Sequence, residues 1–118
     1  DAKVIQNDNR YGITIIETGI GRLSIPECQF EVGQRFRVRI LSDDVSITLS
    51  KSKDSSISNI FKVKVKKIAT DSKHMKIITL ESGSTQIKAR ITKKSSEILN
   101  LKLNDEVFAQ IKTVAITY

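Results

Sequence analysis

Residues 55–65 read SSISNIFKVKV, and the second half of that stretch decides the fold class. Val63 and Val65 alternate with Lys62, Lys64 and Lys66. A period of two places the valines on one face and the lysines on the other, which is the pattern of a half-buried strand. The pattern recurs upstream, where Phe36, Val38 and Ile40 alternate with Arg35, Arg37 and Arg39, and downstream, where Ile87, Ala89 and Ile91 alternate with Gln86, Lys88 and Arg90. Short strands separated by polar turns predict an all-β barrel or sandwich.

The same plan is written twice. Ile15-Ile16-Glu17-Thr18-Gly19 lines up with Thr79-Leu80-Glu81-Ser82-Gly83, Gly33 with Asn104, and Val45-Ser46-Ile47-Thr48 with Val114-Ala115-Ile116-Thr117. The division predicted is 1–54 and 55–118. Units of roughly 60 residues bury a modest share of their surface and are marginal alone. The two are therefore expected to share a core, to exchange strands or to rely on a partner chain. The second copy is longer between its third and fourth strands, at TKKSSEILNLK, 92–102. This is the one stretch with helical character. Thr92 reads as its N-cap, Ile98, Leu99 and Leu101 as its apolar side, and Asn100 as a left-handed stop.

With 118 residues, 39% hydrophobic and 28% charged, the composition is that of a soluble folded protein and not of a disordered one. No apolar run is long enough to span a bilayer as a helix. The chain starts at Asp1, as a processed product or an excised piece would. One cysteine, Cys28, excludes a disulfide within the chain, and one histidine, His74, excludes the usual Cys/His zinc site. A net charge of +7 favours anionic partners without saying which. Thr18-Gly19-Ile20-Gly21 lacks the Gly-Lys-Ser/Thr ending of a phosphate loop and reads as a strand hairpin. The lysine and arginine stripes read as solvated faces. Phe36, Phe61 and Phe108 read as core, Tyr11 as a turn residue, and Tyr118 is the last residue. That is a poor stacking surface for single-stranded nucleic acid.

SSISN crowds neutral donors at the mouth of a strand. On its own it reads as a linker turn. Ser56-Ile57-Ser58-Asn59 followed by strand residues also resembles the signature of the molybdate-binding Mop domain of the TOBE/Mop group. Ile91-Thr92-Lys93-Lys94-Ser95 is similar to that family's strand-to-helix segment, and 101–112, LKLNDEVFAQIK, to its closing strands. Tyr11-Gly12-Ile13-Thr14, Leu23-Ser24-Ile25-Pro26 and 39–47, RILSDDVSI, resemble the C-terminal tandem Mop-like region of the ATP-binding subunit of molybdate ABC transporters.

The resemblance implies duplicated five-stranded OB-like barrels with strands exchanged between them and one short helix. It implies a homodimer, and molybdate or tungstate as ligand without any cofactor or metal-ligand residues. In the full-length context it implies a nucleotide-binding domain and a permease as partners, on the cytoplasmic side of the inner membrane. The ligand is a tetrahedral dianion whose oxygens only accept hydrogen bonds, so its site needs convergent donors. Ser56, Ser58 and Asn59 would supply one side; Thr92, Lys93 and Ser95 would supply the other, with Lys93 or Lys112 as the cation on which the site leans. Ser58 stands where the family often has arginine, which removes a guanidinium donor. No Walker A motif is present, so no catalysis is expected of these residues. The competing readings are a molybdate storage or carrier protein, an OB-like domain for single-stranded nucleic acid, and a dimerisation module without ligand.

Overall fold

The alternating segments become strands, and the polar clusters between them become turns. The protein is described by a computed structural model covering residues 1–51, 56–57, 59–112 and 114–117, with 115–117 as backbone only. The boundary expected between 54 and 55 falls outside the described residues, as does Tyr118.

In chain order the strands are β1 (Ala2–Asp8), β2 (Ile13–Thr18), β3 (Gly21–Pro26), β4 (Arg35–Arg39), β5 (Val45–Thr48), β6 (Asn59–Ser72), β7 (Met75–Ser82), β8 (Thr85–Thr92), β9 (Glu106–Ile111) and β10 (Ala115–Thr117). A 3-10 turn, Ser42–Asp44, precedes β5, and helix α1, Lys93–Ile98, separates β8 from β9. Two five-stranded antiparallel sheets result, in the orders β10-β4-β1-β2-β3 and β5-β9-β6-β7-β8. Each takes four strands from one half of the chain and its edge strand from the other. Val45 of β5 sits opposite Ile111 of β9, and Ala115 of β10 opposite Arg39 of β4. The second sheet curls until Asp43, beside β5, reaches Arg90 of β8 at 3.4 Å. The architecture is a pair of OB-like barrels with exchanged strands and one short helix.

The two barrels repeat in detail. β1 bulges between Val4 and Gln6, and β6 between Val65 and Lys67. A bulge bends its strand and frees backbone groups at the kink. In the first barrel the Val4 N–H donates to the Gln34 carbonyl at 3.0 Å, and the Gly33 N–H to the Val4 carbonyl at 2.8 Å. In the second, the Val65 N–H donates to the Asp105 carbonyl at 2.9 Å, and the Asn104 N–H to the Val65 carbonyl at 2.7 Å. Both closures need a left-handed residue: Gly33 has φ 90° and Asn104 φ 70°. Glycine and asparagine are the residues that tolerate this region.

One continuous core runs through both barrels. Val4, Ile16 and Leu23 from the first half and Val65, Ile78, Leu80 and Ile111 from the second are almost wholly buried. Sharing a core answers the marginal size of each unit. Three expectations need correction. Phe108 is only half-buried, because β9 turns Val107, Ala109 and Ile111 inward and Phe108 therefore falls on the other parity. Phe61 is likewise only half-buried, against the edge of the core, while Phe36 is buried as expected. Ile98 is 70% exposed, since α1 is too short to turn more than one apolar edge inward, and Leu101, just past it, fills that role.

The β2–β3 hairpin packs so closely on the second barrel that its glycines are required. A Cβ on Gly21 would lie 2.8 Å from the Phe61 ring, and Gly21 has φ 138°. Gly21→Ala is expected to destabilise the chain by about 2 kcal/mol or more, from backbone strain plus displacement of Phe61. Urea denaturation followed by circular dichroism checks this.

Candidate functional site

Asn59 opens β6 on the inward phase, four residues before Val63 begins the buried run Val63, Val65. An amide at a buried position must find partners. It finds them on the other barrel. Oδ1 accepts the Ser24 N–H at 2.8 Å, and Nδ2 donates to the Ser24 carbonyl at 2.9 Å. The side chain thus imitates a strand residue on the free edge of β3 and ties the barrels together. One Nδ2 hydrogen remains for a ligand. Ile111 sits opposite Asn59 in register, so Lys112 follows at the same end of the barrel, exposed, with its N–H on the Asp44 carbonyl at 3.1 Å. Ser56 is exposed just ahead of β6. Ser58 lies outside the described residues.

The second set of donors gathers at the start of α1. Thr92 is the N-cap: its Oγ1 accepts the Ser95 N–H at 3.0 Å and donates to Ser95 Oγ at 2.9 Å. The Lys93 N–H is engaged by the His74 carbonyl at 2.8 Å. Two of the first-turn N–H groups are therefore already spent inside the chain. What faces outward is the Ser95 hydroxyl proton and the Lys93 and Lys94 ammonium groups. Neither lysine has an ion-pair partner among the described residues. Thr92, Lys93 and Lys94 line a surface hollow of about 400 Å³ with His74, Met75 and Glu97.

Among the described residues no hydrogen bond or ion pair joins the two sets directly. The route between them crosses the acidic turn Ser42–Asp44. Asp44 meets Lys112 through backbone, and Asp43 meets Arg90, two residues before Thr92. Arg90 is also bonded to Asp71 at 2.7 Å, and that hydrogen bond, ahead of the one to Asp43, raises its already high pKa. Within one chain, a dianion placed between the sets would have to pass two carboxylates.

The basic stripe of β6 is partly neutralised. Lys62 pairs with Glu106 at 3.0 Å and Lys66 lies 3.9 Å from Glu81. The Lys62 hydrogen bond holds the Glu106 carboxyl below the usual carboxylate range. A depressed folded pKa contributes stability above the unfolded value, and that contribution is lost as pH falls through the folded one. Lys62→Met is expected to raise the Glu106 pKa toward the ordinary glutamate range in a side-chain carboxyl NMR titration. The pair is exposed, so the accompanying stability change is expected to be slight. No group of three or more His, Cys, Asp or Glu side chains among the described residues is arranged to hold a metal ion, and no helix there is long and apolar enough to cross a membrane.

The sequence carried no sign that Ser24 is the partner of Asn59. It did carry the polar residue on a buried phase, which is the signal that a specific partner exists.

Comparison with known proteins gives the family and a fold likeness. Residues 55–117 match the TOBE domain family. The Molybdenum import ATP-binding protein ModC of Albidiferax ferrireducens is 35% identical over 113 residues, 96% of this chain and 31% of the relative. That of Hahella chejuensis is 35% identical over 116 residues, 98% of this chain and 32% of the relative. The chain thus spans about a third of the length of these curated relatives. Among solved structures, the cytoplasmic molybdate-binding protein ModG, in a form with molybdate bound, superposes with a TM-score of 0.77 at 24% identity, covering 89% of this chain and 84% of that one. That likeness is one of fold.

Proposed function

Because the chain belongs to the TOBE domain family, we propose that it is an oxyanion-binding regulatory domain, for molybdate or tungstate, of the ATP-binding subunit of a molybdate importer. Its units, 1–54 and 55–118, are tandem Mop-like repeats in this reading. The kinship with ModC across nearly the whole chain supports it. The observation that carries it is the divided donor set. Ser56, Asn59 and Lys112 stand at one mouth, the start of α1 stands at another, and the acidic turn lies between.

Neither half can enclose a tetrahedral dianion alone. In a homodimer, Ser56, Asn59 and Lys112 of one protomer meet the Thr92–Ser95 segment of the other; Ser58 stays a candidate from the sequence alone. The ligand then becomes part of the interface. It binds one dimer geometry better than another and biases the assembly toward it. Within a transporter, that bias would reach the nucleotide-binding domain and permease, on the cytoplasmic side of the inner membrane. The chain has no catalytic role in this scheme.

Calorimetric titration with molybdate, tungstate and sulfate, paired with sedimentation, tests the proposal. Saturable molybdate binding that shifts the chain toward dimer is the expected result. Heat-silent titrations with all three anions, with no change in assembly, would refute it.

A further inference from the structure

A different part of the molecule offers a second site. Where the β2–β3 hairpin and β4 of the first barrel meet β8 of the second, a groove of about 660 Å³ opens. That is within the usual range of small-molecule pockets, roughly 300–1,000 Å³. Among the described residues it is lined by none of Ser56, Asn59, Thr92, Lys93, Ser95 or Lys112. Arg39 enters it from β4 and Lys88 from β8. Neither cation has an ion pair or side-chain hydrogen bond among the described residues. The nearby Asp43 is held by Arg90, and Asp1, which also lines the groove, is in ion-pair contact with neither cation. Ser42 and Thr85 border the groove, and their hydroxyls make no side-chain hydrogen bond among the described residues. Its floor is apolar, with Ile20 and Ile87 nearly buried beneath it.

We propose that this groove binds an organic anion: a phosphate or carboxylate head on an apolar body. Arg39 and Lys88 bring one positive charge from each barrel to the groove. An anionic head there gains charge-assisted contacts from them, with Ser42 and Thr85 as neutral donors. A bare oxyanion would leave Leu41, 43% exposed, and the half-buried Val38 and Ile40 uncovered, whereas an apolar body buries them. The ligand bridges the barrels and therefore stiffens their junction.

The test is titration of the whole chain with phenyl phosphate and with inorganic phosphate, followed by calorimetry and amide NMR. Phenyl phosphate is expected to bind about tenfold more tightly than inorganic phosphate. It should shift the amides of Thr18–Ile20 and Thr85–Lys88. Arg39→Gln and Lys88→Gln should each weaken it by about fivefold or more, and neither should move a molybdate titration. The proposal is overturned if phenyl phosphate binds no better than inorganic phosphate. Indifference to both substitutions, or displacement of phenyl phosphate by molybdate, overturns it equally. These outcomes are independent of whether molybdate binds elsewhere.

Discussion

Asn59→Ala is expected to cost the fold about 2–4 kcal/mol. Two hydrogen bonds to the Ser24 backbone vanish together, and the N–H and carbonyl they satisfied stay at the barrel junction with nothing to replace the amide. The loss should be visible as a lower urea midpoint. It should also appear as faster amide exchange of Ser24, because the free edge of β3 loses the side chain from the other barrel that is hydrogen-bonded to it. Asn59→Asp separates the two bonds. The carboxylate can accept the Ser24 N–H but cannot donate to its carbonyl, so it should fall nearly as far as alanine. Unchanged exchange at Ser24 in both variants would mean that the barrels are held by the hydrophobic junction alone.

The second large effect concerns the ligand. Ser56→Ala and Lys112→Ala each remove a donor from one half-site, and Ser95→Ala removes one from the other. Each is expected to weaken molybdate by about 10- to 100-fold, the range for losing a hydrogen bond to a charged group. Thr92→Ala needs separate treatment. Its hydroxyl is the cap of α1, and losing a cap costs roughly 1 kcal/mol of helix stability. Thr92→Ser restores the cap with the same oxygen. If it restores binding as well, Thr92 acts by holding the helix start and Ser95 in place. Ser56→Ala leaves the fold untouched and serves as the cleaner probe, since Ser56 is exposed and no side-chain hydrogen bond of its own is present among the described residues.

Period two was legible in Phe36–Ile40, Val63–Val65 and Ile87–Ile91, and it became β4, β6 and β8. The pairing of Gly33 with Asn104, read from two unlike residues in matching surroundings, appears as two left-handed residues closing the same bulge. Thr92 and Asn100 were legible as the ends of α1 because capping is local chemistry. Phe108 was misread because Val107, Phe108 and Ala109 are apolar on both parities, and a period cannot be extracted from such a run. The bond from Asn59 to Ser24 was out of reach, because it joins residues from the two barrels and depends on how they dock. The same holds for Thr92: the sequence marks the hydroxyl as a donor, while the folded chain turns it onto Ser95. Local signals specify strands and caps, but which polar groups remain free for a ligand is settled only by tertiary contacts.

Subunit mixing tests most directly whether the proposed site is divided between protomers. Ser56→Ala and Ser95→Ala chains are mixed in equal amounts, allowed to exchange, and titrated with molybdate by equilibrium dialysis. In a twofold dimer, half of the assemblies become mixed, and each of these regains one intact site, so about a quarter of all sites should bind as the parent chain does. Recovery of no tight sites, from two variants that are each folded and dimeric, would contradict the account.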